Sequence, residues 1–256
     1  VILSTPFDVP SVEFLADRNM AAYKIASSEL CNIPLLKAVA RKGKPVILST
    51  GMAFENEIEM ALKVLASHRA AGHEKNALGF LAPISLLHCV SLYPTPYDKA
   101  HLKKMIYLAK RFNVPGGLSD HSLGIDAPLA AVAMGARIIE KHFKLSADHD
   151  CPDALISLDP IQFKSMVTSI RNIEDALGDD SFDITSEENS ARDLLRKGLM
   201  TRRDILKNEV VGEADIIFRK PFKGLGPEHY FELLGRRLVK DIKQGDFFTK
   251  DHFHKD

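Results

Sequence analysis

The chain has 256 residues, 45% of them apolar and 27% charged, which suits one large or two small globular domains and excludes a disordered polymer. Lys+Arg and Asp+Glu number 34 each, so no net field draws nucleic acid or anionic lipid, and no apolar run reaches the 18 or so residues that span a bilayer. The three cysteines, Cys31, Cys89 and Cys151, form no C-x-x-C pair; they exclude a disulfide or cysteine-zinc scaffold and point to reduced thiols in the cytoplasm.

In chain order, apolar runs at 1–4, 22–26, 45–49, 84–89, 117–119 and 137–142 alternate with helical patterns at 9–17, 34–41, 55–70, 100–112, 127–134 and 160–177. This alternation predicts an α/β fold, a parallel sheet covered by helices. Every run ends in small or polar residues: Ser4-Thr5, Ser27-Ser28-Glu29, Ser49-Thr50-Gly51, Ser91-Leu92-Tyr93, Ser119-Asp120-His121 and Glu140-Lys141-His142. Polar strand ends all round favour a (β/α)8 TIM-type barrel over a doubly wound sheet, which gathers such residues at one switch point. No G-x-G-x-x-G or G-x-x-x-x-G-K-[ST] occurs to support nucleotide binding. Six units assign strands 3–8 of a barrel, so two further β-α units are expected before Val1. Residues 1–180 thus read as a partial barrel, the polar stretch 181–193 as a linker, and 194–256, with short strand-like pieces, as a small second domain. Within it Arg203-Asp204-Ile205 and Lys240-Asp241-Ile242 open a weak internal repeat.

The strongest chemical signal is Ser119-Asp120-His121 followed by Glu140-Lys141-His142. Strand side chains alternate, so Ser119 shares a face with His121 and Glu140 shares a face with His142, while Asp120 and Lys141 take the outer faces as a cross-strand pair. Strands about 4.8 Å apart bring two imidazoles together at matching heights, where they suit one divalent ion with open positions for substrate. Lys24, in an apolar strand, is read as a holder of phosphate or carboxylate, as a Schiff-base amine, or as an ion pair with Glu29 or Glu140. Thr5, Ser27, Ser49 and Ser91 either donate hydroxyls to an anion or cap the following helices. Tyr93, in Tyr93-Pro94-Thr95-Pro96-Tyr97, lines a ring pocket or stiffens a turn. Asp153 follows the last strand and is placed to hydrogen-bond a hydroxylated substrate, whereas His149 reads as part of a solvated turn.

Ser4-Thr-Pro-Phe, Ala22-Tyr-Lys-Ile-Ala-Ser-Ser-Glu, Gly43-Lys-Pro-Val-Ile-Leu-Ser-Thr-Gly-Met, His88-Cys-Val-Ser-Leu-Tyr-Pro-Thr-Pro-Tyr, Gly117-Leu-Ser-Asp-His-Ser-Leu-Gly-Ile and Ile139-Glu-Lys-His-Phe together resemble the sialic acid synthase family. The resemblance covers essentially the whole chain. It implies a barrel joined to a C-terminal antifreeze-like (SAF) domain, and a transferase condensing phosphoenolpyruvate with an N-acetylated amino sugar, N-acetylmannosamine or a related diacetamido sugar. The products would be a nine-carbon 2-keto sugar acid and phosphate. It also implies that His121 and His142 ligate Mn²⁺, with Mg²⁺ or Co²⁺ as alternatives, that Glu140 acts at the reacting end of the sugar, and that Lys24, Thr5, Ser27, Ser49 and Ser119 hold phosphoenolpyruvate. Tyr93 and Asp153 would contact the sugar, and Glu29 and Ser91 would complete the substrate site. A domain-swapped homodimer is implied, with Arg219 or Lys220 reaching the partner's site.

The sequence departs from the family at three points. A Glu in a motif ending Asn-His and a Lys-Phe-Gln strand are not found, Ser91 replaces an Asn, and Arg219-Lys220-Pro221-Phe222 replaces Arg-Pro-Gly. These 256 residues alone are therefore expected to be inactive or nearly so. The competing readings are another metal-dependent barrel aldolase or hydrolase, and an inactive fragment serving as a dimerising or carbohydrate-binding module.

Overall fold

In the computed structural model, which describes residues 1–68 and 84–253, the polar residues after the apolar runs start helices. Asp8 accepts a hydrogen bond from Ser11 N at 2.7 Å and opens α1 (Val9–Asp17); Asn32 does the same for Leu35 N at 3.2 Å and opens α2 (Ile33–Arg41). Asp159 accepts from Ile161 N and Gln162 N, and with Pro160 it launches α6 (Pro160–Leu177). Between them lie α3 (Glu55–Ser67), α4 (Lys103–Phe112) and α5 (Asp126–Ala133). The last residues of the helix expected at 55–70 fall outside the described ones.

The backbone divides into two units, Val1–Asp179 and Asp180–Asp256. In the first, β1 (Tyr23–Ile25), β2 (Val46–Ser49), β3 (Ile84–Cys89), β4 (Gly116–Asp120) and β5 (Ile138–Lys141) form one parallel sheet in sequential order. This half-barrel sheet has no reversal of order, so it has no switch point, and the loops after all five strands open on one edge. The strand expected at 1–4 is reduced to a single bridge of Ser4 with Tyr23; Val1 and Ile2 are fully exposed and pair with nothing described. A complete count of barrel strands is not seen.

Alternation along the strands sorts the two faces. Tyr23, Ile25, Val46, Leu48, Ile84 and Leu86 are buried against Val12, Leu35, Val39, Ile58 and Leu65 of the helices. Each such burial contributes about 1.5–3 kcal/mol. Lys24, Ser49, Cys89, Ser119 and Glu140 take the other face. Gly117 lies between strands where a Cβ would meet the Ile138 carbonyl oxygen and, at 2.6 Å, Leu87 Cδ2. Gly117→Ala is therefore expected to destabilise by about 2 kcal/mol, measured by chemical denaturation. An unchanged midpoint would contradict this packing.

In the second unit, α7 (Ser186–Leu195) occupies most of the stretch 181–193 expected to be a linker, started by a reciprocal Thr185–Glu188 capping box. β6 (Gly198–Thr201) pairs antiparallel with β7 (Ile216–Arg219), and α8 (Tyr230–Leu233) follows. The repeat is a structural two-fold. Ile205 and Ile242 exchange backbone hydrogen bonds at 3.0 and 2.9 Å, Asp204 accepts from Gln244 N at 2.8 Å, and Asp241 accepts from Lys207 N at 2.7 Å. The spacing that separates Asp204 from Asp241 also relates the bridges Met200–Phe247 and Val210–Arg237 to each other. Leu199, Val211, Leu238 and Phe248 fill the core between the halves.

Arg203 grips Asp215 through Nε at 2.7 Å and Nη2 at 3.3 Å, and Gly212 N adds a bond at 2.9 Å. Burial raises the Asp215 pKa, but the guanidinium and the amide outweigh it and hold the carboxyl below its ordinary value of 3.8. A depressed carboxylate contributes stability above that ordinary value and loses it as pH falls through the lower folded one. Asp215→Asn should thus lower the thermal midpoint at neutral pH and remove part of the acid loss below about 3.8. Equal midpoints at neutral pH would overturn this.

Candidate active site

At the C-terminal edge of the sheet the strand ends enclose a cavity of about 550 Å³. Lys24 enters it from β1, Ser49 from β2, Ser119 and His121 from β4 and the loop after it, and Glu140 and His142 from β5 and beyond; Thr5, Ser27, Ser91 and Tyr93 complete the wall. The lining therefore unites most of the side chains expected from the sequence.

Lys24, its side chain 12% exposed, donates to Ser49 Oγ at 2.7 Å and lies 3.5 Å from Glu140 Oε2. Burial pulls the Lys24 pKa down, and Glu140 opposes that pull. Of the two carboxylates weighed for Lys24, the partner is Glu140. Ser119 Oγ donates to Glu140 Oε1 at 2.7 Å, so one carboxylate oxygen faces a hydroxyl and the other an ammonium. Gly51 N donates to Ser27 Oγ at 2.9 Å. A Cβ on Gly51 would lie 2.5 Å from Ser91 Oγ and 2.8 Å from Ser27 Oγ, so only glycine lets this turn close on the two hydroxyls.

The His121 and His142 rings are 5.2 Å apart between centroids, and Tyr93 stacks on His121 at 4.1 Å. His121 Nδ1 is 3.0 Å from the Val90 carbonyl, which can only accept, so Nδ1 carries a proton and, in the neutral ring, Nε2 keeps its lone pair. Burial lowers the His121 pKa, but the contacts with Cys89 and the Val90 carbonyl more than offset it and leave His121 raised; burial, then His121, lowers His142. Among the described residues no three His, Cys, Asp or Glu side chains converge as a metal cage. Two imidazoles fit a divalent ion whose remaining positions are filled by water and substrate oxygens.

The other expected site residues fall outside the lining. Glu29 sits on a 3₁₀ turn, where Asn32 Nδ2 at 2.7 Å and Ser28 Oγ at 3.2 Å engage its carboxylate away from the cavity wall. Asp153 is not part of the lining but lies next to His142, Oδ2 3.7 Å from Nδ1. Arg219 and Lys220 belong to the other unit. The lining residues not expected as site residues are Phe7, Ala26, Ser28, Met52 and Cys89. Burial raises the Cys89 pKa, yet contacts with His121, Ser27 and Ser119 outweigh it and leave the thiol lowered.

Residues 1–182 match the NeuB family, and 196–254 match the SAF domain. The chain belongs to the NeuB family. N,N'-diacetyllegionaminic acid synthase of Campylobacter jejuni is 39% identical over 97% of this chain and 72% of its own length. Pseudaminic acid synthase of the same species is 39% identical over 98% of this chain and 69% of its own length. Among solved structures, N-acetylneuraminic acid (sialic acid) synthetase of Leptospira borgpetersenii, in complex with citrate, is similar at a TM-score of 0.64 and 38% identity, covering 73% of this chain and 61% of that one. The chain thus spans under two thirds of that synthetase. The whole cavity wall lies within the NeuB match, whereas Arg219 and Lys220 lie in the SAF match. No helix among the described residues is long and apolar enough to cross a membrane.

Proposed function

We propose that this NeuB-family chain forms the site of a condensation between phosphoenolpyruvate and the open-chain aldehyde of an N-acetylated amino sugar, giving a nine-carbon 2-keto sugar acid and phosphate. The observation that carries the reading is the meeting of Lys24, Ser49 and Ser119-held Glu140 with two adjacent imidazoles in one cavity. The similarity to synthases of legionaminic, pseudaminic and sialic acids supports the same reading.

In the proposed chemistry Lys24 and the hydroxyls of Thr5, Ser27 and Ser49 hold the anionic phosphoenolpyruvate, with Ser91 at the same wall. C3 of the enol phosphate bonds to the aldehyde carbon while a water oxygen adds to C2, and one proton of that water ends on the former aldehyde oxygen. The C2–O bond to phosphate then breaks as the C2 hydroxyl gives its proton to the departing phosphate, leaving the 2-keto acid. His121 and His142 would hold a divalent ion, Mn²⁺ foremost, which when bound supplies Lewis-acid polarisation of the aldehyde. Glu140, fixed by Ser119 and Lys24, orients the sugar at its reacting end, with Tyr93 and Asp153 nearby. A swapped dimer, in which Arg219 or Lys220 serves the partner's site, belongs to the same proposal. So does a cytoplasmic setting, which the free Cys31, Cys89 and Cys151 support.

The test uses the protein expressed from its full coding region. Phosphate should appear only when phosphoenolpyruvate is supplied together with N-acetylmannosamine or 2,4-diacetamido-2,4,6-trideoxymannose. Release from phosphoenolpyruvate alone would mark a hydrolase instead and overturn the reading.

A further inference from the structure

Asp120 and Lys141 are register partners on β4 and β5, one residue before each imidazole, and both point to the helix side of the sheet, away from the cavity. We propose that this buried pair acts as a strap on the reverse of the sheet, making Asp120 and Lys141 the positioning residues of His121 and His142. The proposal rests on the reading of those two imidazoles as the ion-holding groups.

Lys141 Nζ donates to Asp120 Oδ2 at 2.7 Å, with side-chain exposures of 0% and 4%. The second carboxylate oxygen, Oδ1, accepts from Ser122 N at 3.0 Å, and Lys141 Nζ also donates to the Ser122 carbonyl. Three contacts thus close a loop around His121 from behind. The backbone carbonyls are tied as well: His121 O accepts from Thr95 N, and His142 O from Leu158 N, each at 2.9 Å. On the cavity side the only side-chain hydrogen bond described between the two strand ends is Ser119–Glu140, which substrate must approach.

Energy argues for geometry as the role. A buried ion pair loses so much solvation that an apolar pair of similar volume is often equally stable or more so, and stability alone does not account for two charges under the helices. What the pair does fix is register and twist at the strand ends. A slip of one residue turns both imidazoles to the helix face, and a smaller rotation spoils their common approach to one ion. Groups behind metal ligands set ligand orientation in this way, and their loss commonly costs 10–100-fold in affinity.

The test replaces the pair by apolar side chains of similar length, Asp120→Leu with Lys141→Met, in the protein expressed from its full coding region, so that no lone buried charge remains. The expected result is a folded protein whose Mn²⁺ affinity by calorimetry falls at least about tenfold. In the metal-free protein at alkaline pH, nitrogen NMR should show His121 as a single Nδ1–H tautomer in the wild type and as an averaged one in the variant. Unchanged affinity together with an unchanged tautomer overturns the strap. If the wild type binds no Mn²⁺, the ion-holding reading fails by itself, and the tautomer comparison alone decides the strap. If Asp120→Leu with Lys141→Met does not fold, Asp120→Asn with Lys141→Gln, polar but uncharged, carries the same two measurements.

Discussion

Lys24→Met should lower kcat/KM for phosphoenolpyruvate by about a thousandfold, the scale of removing a fixed charge from a site where negative charge is held and moved. Methionine keeps most of the aliphatic stem, and the flanking Tyr23 and Ile25 remain buried on the helix side, so the thermal midpoint should change little. Lys24 is the only lysine or arginine among the described residues of the cavity wall. Glu140 would lose its cation while keeping the hydrogen bond from Ser119. Steady-state kinetics with phosphoenolpyruvate as the varied substrate decide the matter. A loss smaller than about tenfold would remove Lys24 from the anion site.

His121→Ala and His142→Ala should each abolish stoichiometric Mn²⁺ binding and reduce turnover by more than a thousandfold, without unfolding the protein. Neither ring supports the core: His142 is partly exposed and His121 lies against the cavity rather than the helices. With only two imidazoles converging, removing one leaves a single nitrogen, too few to hold a divalent ion at micromolar concentration. Calorimetric titration of each variant reads the loss directly. A variant that still takes up one equivalent of Mn²⁺ would place the ion elsewhere.

Period-two alternation explains why so much of this site was legible. Once Ser119 was assigned to the cavity, His121, Glu140 and His142 followed from parity and strand spacing, and the structure places them on one wall. The same parity assigns Cys89, two residues before Ser91 and in register with Ser119, but the thiol was read only for redox setting. The same rule does not reach Glu29, because the chain leaves β1 into a 3₁₀ turn, where alternation no longer fixes direction. Helix α7 was missed because 181–193 was judged on polarity, although Thr185-Ser-Glu-Glu188 is a readable capping box. The expected strand at 1–4 shows the opposite limit: composition supplied strand formers, but a strand also needs neighbours, and only Ser4 has one.

The two-fold in the smaller unit separates what must stay fixed from what is free to vary. Each half lends the other a segment, Met200 to Phe247 and Val210 to Arg237, so neither is complete alone, and together they behave as the subunits of an isologous dimer carried on one chain. The 3₁₀ turns Glu213–Asp215 and Lys250–His252 stand at the same spacing as Asp204 and Asp241, so the duplicated frame runs on past these bridges. Beyond the first of these turns, Phe218 and Arg219 are exposed at the end of β7. The doubled frame therefore bears the folding constraint of this unit, while the exposed side chains at the end of β7 lie outside its core.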